Sequence, residues 1–246
     1  MNIGSQSSLD TDPNWAAPDG CNRKSVSNIL RSRASVRAYL DREVPFETVH
    51  QILDTARWSP SGSNLQPWKV IVVAGEERER VSRLARQALA GNPAGEDSDY
   101  PVAPDNLASP FRERRSLAAQ QRYSAVGISR DDAAGRAAFV ERNYEFWGAP
   151  VGLLFATCRN FGHSQWAHLG MFIQSVVLAA SEQGLGCCVQ EAWAKVRETL
   201  RRHFSLPEDE VIYCGMALGY PDWSQPINSV RTSREDVANF TTFLGF

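Results

Sequence analysis

WAHLGMFIQSVVLAASEQGLGCCVQEAW, residues 166–193, is the stretch on which the fold turns. From Trp166 to Gln183 apolar residues occur all round the helical wheel, and the small pair Ala179-Ala180 interrupts no face. Such a pattern marks a buried helix at the centre of a fold or of a subunit interface. Gly184-Leu185-Gly186 ends it, Cys187-Cys188-Val189 reads as a short strand, and Lys195 to His203 as a further helix.

Working outward, Val151 to Thr157 is a strand that follows the stop Gly148-Ala149-Pro150, and Val211 to Gly219 is a last strand stopped by Tyr220-Pro221-Asp222. Lys69 to Val73 is a β-branched run, expected to be a central, buried strand. Helices are expected from Val26, from Pro45 with Val49, Ile52, Leu53 and Ala56 as its apolar face, over 76–90, over 112–123 and over 131–146. Between Gly91 and Phe111 the residues Pro93, Pro101, Pro104 and Pro110 break any periodicity, so a long lid-like excursion is expected there. The tail from Trp223 ends in Phe240, Phe243 and Phe246 and is expected to pack on something, a second subunit being the usual case.

The 246 residues, 43% hydrophobic and 22% charged, suit one α/β or α+β domain with a sizeable core. Twenty-six Lys and Arg against 28 Asp and Glu leave a net charge of -2. That balance removes any general attraction to nucleic acid or a membrane surface, so an anion must be held by a local cluster. Five cysteines are an odd number and Cys187 and Cys188 are adjacent, which suits neither a disulfide framework nor a tetrahedral zinc site. Reduced thiols of a cytoplasmic protein are expected. Residues 1–24 have neither a basic n-region nor an apolar h-region and read as a flexible polar leader. Gln174, Ser175 and Ser181-Glu182-Gln183 interrupt the best candidate for a membrane span.

Four groups of residues carry chemistry. Arg31-Ser32-Arg33-Ala34-Ser35-Val36-Arg37 offers guanidinium forks and hydroxyls suited to a phosphate, or forms a solvated basic face. Ser59-Pro60-Ser61-Gly62-Ser63-Asn64-Leu65-Gln66-Pro67-Trp68 is a turn-forming loop whose Gly62 admits a close ligand and whose Ser61, Asn64 and Gln66 offer neutral hydrogen bonds, or it is a plain turn. The run from Gly184 to Trp193 ends a strand and starts a helix, so the backbone N–H groups of Glu191 and Ala192 are candidates to face a bound ring. Asn228, Arg231 and Arg234 form a second cationic run near the C-terminus.

In this order the four groups resemble the FMN-dependent nitroreductase family, over roughly Val26 to Phe246, and the length and Arg content of the excursion are similar to those of members acting on nitrobenzoate-like compounds. The resemblance implies an α+β, three-layer fold in which a central mixed, mainly antiparallel sheet is flanked by helices, in an intertwined homodimer. It implies one FMN-binding domain over 25–246 with an insertion at about 91–145. Carried over residue by residue, it implies that Arg31, Ser32 and Arg33 hold the phosphate and ribityl end of FMN and that Arg231 or Arg234 closes on the phosphate. It further implies that Pro60, Ser61, Gly62, Asn64 and Gln66 serve the flavin of the partner subunit. Val189, Gln190 and Glu191 border its ring. Tyr100, Arg112, Arg115, Tyr123 and Arg142 in the insertion are the implied substrate contacts. The implied activity is ping-pong transfer of hydride from NADPH or NADH to a nitroaromatic or similarly electron-poor compound, with no side chain as an essential nucleophile or acid. Reduction of quinones, activated alkenes or halophenols on the same fold, or FMN binding without turnover, are the alternatives. His163 and His168 are expected to be structural.

Overall fold

Among the described residues four strands make one sheet: β1 (Lys69–Ala74), β2 (Val151–Cys158), β3 (Gly186–Gln190) and β4 (Glu210–Gly219), in the order β1-β2-β4-β3. In this computed structural model residues 25–97, 100, 102 and 106–246 are described; the expected leader and part of the 91–111 excursion lie outside them. All three ladders are antiparallel, with Val72 opposite Leu153, Leu153 opposite Met216 and Cys188 opposite Ala217. The parallel component expected of a mixed sheet is a single bridge, Ser35 to Cys187, beyond the β3 edge.

The β-branched run 69–73 is an edge strand and not a central one: among the described residues β1 pairs with β2 alone, and Lys69 and Val72 are exposed. A β-branched run reports a half-buried pleated surface and does not report how many neighbours the strand has. The central position belongs to β2, whose residues are buried from Val151 to Thr157.

Alternation along β2 builds the layers. Leu153 and Phe155 face a core formed with α2 (Phe46–Ala56) and α6 (His163–Glu182). Leu154 and Ala156 face a second core formed with α3 (Gly75–Gly91), α7 (Arg197–His203) and the turns around Trp147 and Trp193. Seven residues of α6 are buried, Leu169, Phe172, Ile173, Val176, Val177, Ala179 and Ala180. At ~1.5–3 kcal/mol for each large apolar side chain taken from water, this helix is a principal source of stability. Met171 on the same helix stays exposed.

The helix expected over 131–146 divides into α5 (Ala133–Glu141) and a tight turn, Arg142–Gly148. Phe146 and Trp147 there adopt left-handed φ angles of 50° and 57°, which the surroundings enforce. The Phe146 ring lies over Gly152 of β2 and the Trp193 ring over Gly215 of β4, where any Cβ would collide with them. The two rings stack at 4.3 Å. Two strand glycines thus make a recess for an aromatic pair, and the unusual backbone at Phe146 delivers its ring there.

The insertion contributes α4 (Phe111–Ala125), which has no buried residue. Its root is fixed by Glu96, whose carboxylate accepts bonds from the Glu198 N–H at 2.7 Å and from the N–H and hydroxyl of Thr199. A carboxylate at the first turn of α7 satisfies donors that the helix leaves open. The remaining helix, α1 (Val26–Ser32), is capped by Ser25, whose Oγ accepts from Asn28 N–H. Among the described residues no helix is long and apolar enough to cross a membrane.

Candidate active site

Beyond the open edge of β3 the chain from Arg33 to Leu40 runs as an extended segment. Val36 N–H donates to the Cys187 carbonyl at 3.0 Å, and the Val36 side chain is buried against Gly186. Arg37 N–H donates to Asn228 Oδ1 at 2.8 Å. Asn228, wholly buried, returns bonds from Nδ2 to the carbonyls of Ala38 and Asp222. One amide therefore fastens the C-terminal segment to the N-terminal one. It brings Arg231 in with it, whose Nη1 donates to the Asn228 carbonyl at 2.8 Å and whose guanidinium lies 5.7 Å from the Trp223 ring centroid. Arg234 instead folds back on its own loop, onto Thr232 and Ser233.

Arg31 and Ser32 lie on α1, where Ser32 Oγ donates to the Ile29 carbonyl, and Arg33 caps the same helix. Arg33 lies on the Cys187 side of β3. Burial pushes the Cys187 thiol far up, Cys188 adds to the shift, and the Arg33 charge partly offsets it. Neither Arg31 nor Arg33 forms an ion pair among the described residues. At the end of β3, Val189 is 42% exposed although Cys187, Cys188 and Gln190 around it are buried. Uncompensated guanidiniums at one end of a strand and a bare apolar side chain at the other fit the phosphate and the ring of FMN.

Gln190 corrects the expectation in part. Its side chain is turned into the core, Nε2 donating to the Asn143 carbonyl at 2.8 Å and Oε1 accepting from Trp193 Nε1 at 3.3 Å. Alternation along β3 puts it on the opposite face from Val189, so only its backbone is available to a ligand. Glu191 begins the following turn and lines a cavity of about 190 Å³ with Tyr100, Val102 and Tyr213. Loss of solvent pushes the Glu191 carboxyl above the ordinary carboxylate range.

The loop 59–68 is anchored on α6. Ser59 Oγ bonds to Ser175 Oγ at 2.7 Å, Gly62 N–H points at the His168 ring at 3.4 Å, and Trp68 stacks on Phe172 at 4.7 Å. His168 thus helps to anchor this loop. Ser63, Asn64 and Gln66 have left-handed φ angles of 54°, 56° and 48°. Ser61 Oγ accepts from Gln66 N–H, and Gln66 Nε2 donates to the Asn64 carbonyl. Pro60, Gly62, Asn64 and Gln66 remain exposed on this stiffened projection.

The expected substrate residues do not come together. Tyr100 packs edge-on against Trp166 at 5.1 Å, with the Arg197 guanidinium 4.5 Å from its ring centroid and its hydroxyl donating to the Tyr213 carbonyl. Burial first, and the tyrosine and thiol beside it, push the Tyr100 phenol up to about 12 against the pull of Arg197. Tyr123 and Arg142 belong instead to a cluster around Phe139 and Trp147. Arg112 pairs with Glu113 on the exposed face of α4, and Arg115 is exposed on the same helix. Spacing along a solvent-covered helix carries no information about which side chain reaches a distant element.

The sequence matches the Nitroreductase family over residues 30–220. The chain belongs to the nitroreductase family. It is 38% identical over 219 residues to a chloronitrobenzene nitroreductase of Comamonas testosteroni, covering 89% of this chain and 96% of that one. To a 4-nitrobenzoate reductase of Pseudomonas putida it is 37% identical over 220 residues, covering 89% and 95%. Among solved structures, the FMN and NADPH-dependent nitroreductase NfnB of Sphigopyxis sp. strain HMH superposes with a TM-score of 0.87 at 37% identity, covering 91% of this chain and all of that one.

In this nitroreductase Ser35 and Arg37, part of the first cationic group but given no FMN contact of their own by the resemblance, lie on the segment that borders β3 directly. Their spacing suits that place. Arg33, Ser35 and Arg37 alternate with Ala34 and Val36, the period of an extended strand and not of a helix end.

Proposed function

We propose that this chain is an FMN-dependent, NAD(P)H-oxidising reductase of nitroaromatic compounds, cytoplasmic and dimeric. The observation that supports it most is the pairing, along a single strand edge, of guanidiniums lacking carboxylate partners with the exposed Val189. Relatives bearing the names chloronitrobenzene nitroreductase and 4-nitrobenzoate reductase support the substrate class.

When bound, FMN supplies the hydride chemistry. The chain supplies place and environment. Arg31, Ser32 and Arg33 hold the phosphate, with Arg231 as the C-terminal arginine that closes on it, because the Asn228 clip fixes Arg231 beside the Arg37 segment while Arg234 is bound to its own loop. Val189 and the backbone of Gln190 and Glu191 border the ring. The projecting residues Pro60, Ser61, Gly62, Asn64 and Gln66 complete the site of a second subunit, so that neither chain owns a whole site. The insertion over about 91–145 covers the slot, and Tyr100 with Glu191 forms its wall on one side.

The purified protein is expected to be yellow, to bleach anaerobically with NADPH or NADH, and to regain colour on addition of 4-nitrobenzoate or nitrobenzene. Colour without bleaching would mean a flavin-binding protein without turnover. A colourless protein that takes up no added FMN would end both readings.

A further inference from the structure

The cavity beside Glu191 draws its walls from three places in the chain. β4 carries one residue more than β2 where it reaches the cavity: Cys214 pairs with Phe155 and Ile212 with Ala156, which leaves Tyr213 without a partner across that ladder. A bulge of this kind re-aims a side chain, and the residue it frees here lines the cavity. The Tyr213 ring packs edge-on against Trp166 of α6 at 5.5 Å and lies 6.3 Å from Tyr100 of the insertion. Trp166 Nε1 donates to the Phe161 carbonyl at 3.1 Å, so the aromatic group is held in place.

Glu191 adds the one acidic group to this lining, from the turn after β3. That turn is fixed, because Trp193 is fully buried and the Tyr144 hydroxyl donates to the Ala192 carbonyl at 3.2 Å. Glu191 itself is exposed, and among the described residues its carboxylate forms no ion pair. Arg197, the cation against Tyr100, is buried and gives its Nε to the Ala194 carbonyl at 2.7 Å. An unpaired carboxylate beside an aromatic cavity attracts a cation and repels an anion. The volume of about 190 Å³ also sets a size. A cavity of ~150 Å³ accepts one benzene ring, and larger ligands need ~300 Å³ or more.

We propose that this cavity seats a single aromatic ring of the electron-poor substrate and that Glu191 sets the charge preference, uncharged or cationic nitroarenes being taken ahead of carboxylates. The inference rests on the reductase reading for the identity of the ligand, and it adds the size and charge of the substrate to that reading. Nitrobenzene and 4-nitrobenzylamine, a cation at neutral pH, are therefore favoured over 4-nitrobenzoate, which carries its negative charge on the same ring. Tyr100, Val102 and Tyr213 supply contact area without a charge of their own, so the preference comes from Glu191 alone among the described walls.

The test is calorimetric titration of oxidised, FMN-loaded protein with these three compounds, without NADPH or NADH, so that binding is read and no turnover occurs. Wild type is expected to bind 4-nitrobenzoate about fivefold or more weakly than nitrobenzene, the scale of one unit-charge contact at a water-accessible site. It should bind 4-nitrobenzylamine at least as tightly as nitrobenzene. Glu191→Gln is expected to remove these differences, whereas Glu76→Gln, which neutralises an exposed carboxylate on α3, leaves them in place. Val102→Phe, which fills the cavity from the insertion, is expected to weaken all three compounds alike. Equal affinity of wild type for 4-nitrobenzoate and nitrobenzene, an order that survives Glu191→Gln, or full binding by Val102→Phe would overturn the proposal. Should the protein take up no FMN or fail to reduce nitrobenzene, the reductase reading falls, and the same titration of the purified protein still decides whether Glu191 selects by charge.

Discussion

Arg33 and Glu191 stand at the two ends of β3, and each is open to a separate test. Arg33 has no carboxylate partner among the described residues, so removing its charge costs the fold little; exposed ion pairs themselves contribute only ~0–1 kcal/mol. Arg33→Gln is expected to weaken FMN binding about tenfold or more, equivalent to ~1.4 kcal/mol, with the melting temperature of the FMN-free protein little changed. Flavin fluorescence on release and a thermal melt measure the two, and an equal loss of both would make Arg33 structural. Glu191 carries a pH signature. Its carboxyl is raised in the folded chain because it is partly withdrawn from water. A carboxyl raised in the native state favours folding below its ordinary range, and that contribution is lost as pH rises through the raised value. In FMN-free protein, Glu191→Gln should therefore match wild type near pH 4 and be the more stable of the two near pH 8. Parallel melting curves across that range would show that the carboxyl is not desolvated.

Elements make sharper demands than single residues. Gly215 of β4 accepts the Trp193 ring where a Cβ would collide with it, and Trp193 is fully buried and stacked on Phe146. Gly215→Ala is expected to cost about 1–3 kcal/mol, the range for overfilling a close-packed core, read as a fall in melting temperature of roughly 2–4 °C per kcal/mol. A neutral result would mean that the indole has room to move aside. Glu96→Ala removes the acceptor at the first turn of α7, for which a loss of about 0.5–2 kcal/mol is expected. Because that carboxylate also roots the insertion, limited proteolysis between residues 97 and 111 should speed up as well, and unchanged cleavage would detach the root from Glu96. The elements themselves were largely legible in the sequence, because the apolar period of α2 and α6 and the runs at β2 and β4 follow from burial on one or both faces. What periodicity leaves out is the partner. It gave β1 the composition of a central strand without showing that one flank is open, and it carried a helix through Phe146 and Trp147 because Gly152, which receives the Phe146 ring, lies outside that segment. The site divided in the same way. Arg33, Val189 and the 59–68 loop were readable as local chemistry, whereas the inward turn of Gln190 and the separation of Tyr100 from Arg142 depend on contacts between distant segments.

Across the described residues, large apolar side chains stay exposed on several separate elements. Phe240, Phe243 and Leu244 of the tail are exposed, Phe243 by 64%, as are Trp58 at the base of the 59–68 loop, by 78%, and Met171 on α6. Contiguous exposed apolar surface marks an interaction site, and the proposed dimer would cover these groups. The loop beside Trp58 is stiffened by its own hydrogen bonds while its outward groups stay exposed, an arrangement suited to reaching a neighbour's site. If the tail embraces the partner, burying Phe240 and Phe243 contributes about 1.5–3 kcal/mol each for every tail in the assembly. Replacing both with Ser should then raise the dimer dissociation constant by roughly two orders of magnitude or more, visible by sedimentation velocity over a concentration series. Because the 59–68 loop would leave with the partner, FMN should dissociate in step with the dimer and the yellow colour should become concentration-dependent. The Arg33→Gln variant provides the contrast, since it is expected to lose FMN while remaining dimeric. A double-Ser variant that stays dimeric, or one that becomes monomeric yet keeps its flavin on dilution, would separate the tail from the interface or the interface from the site.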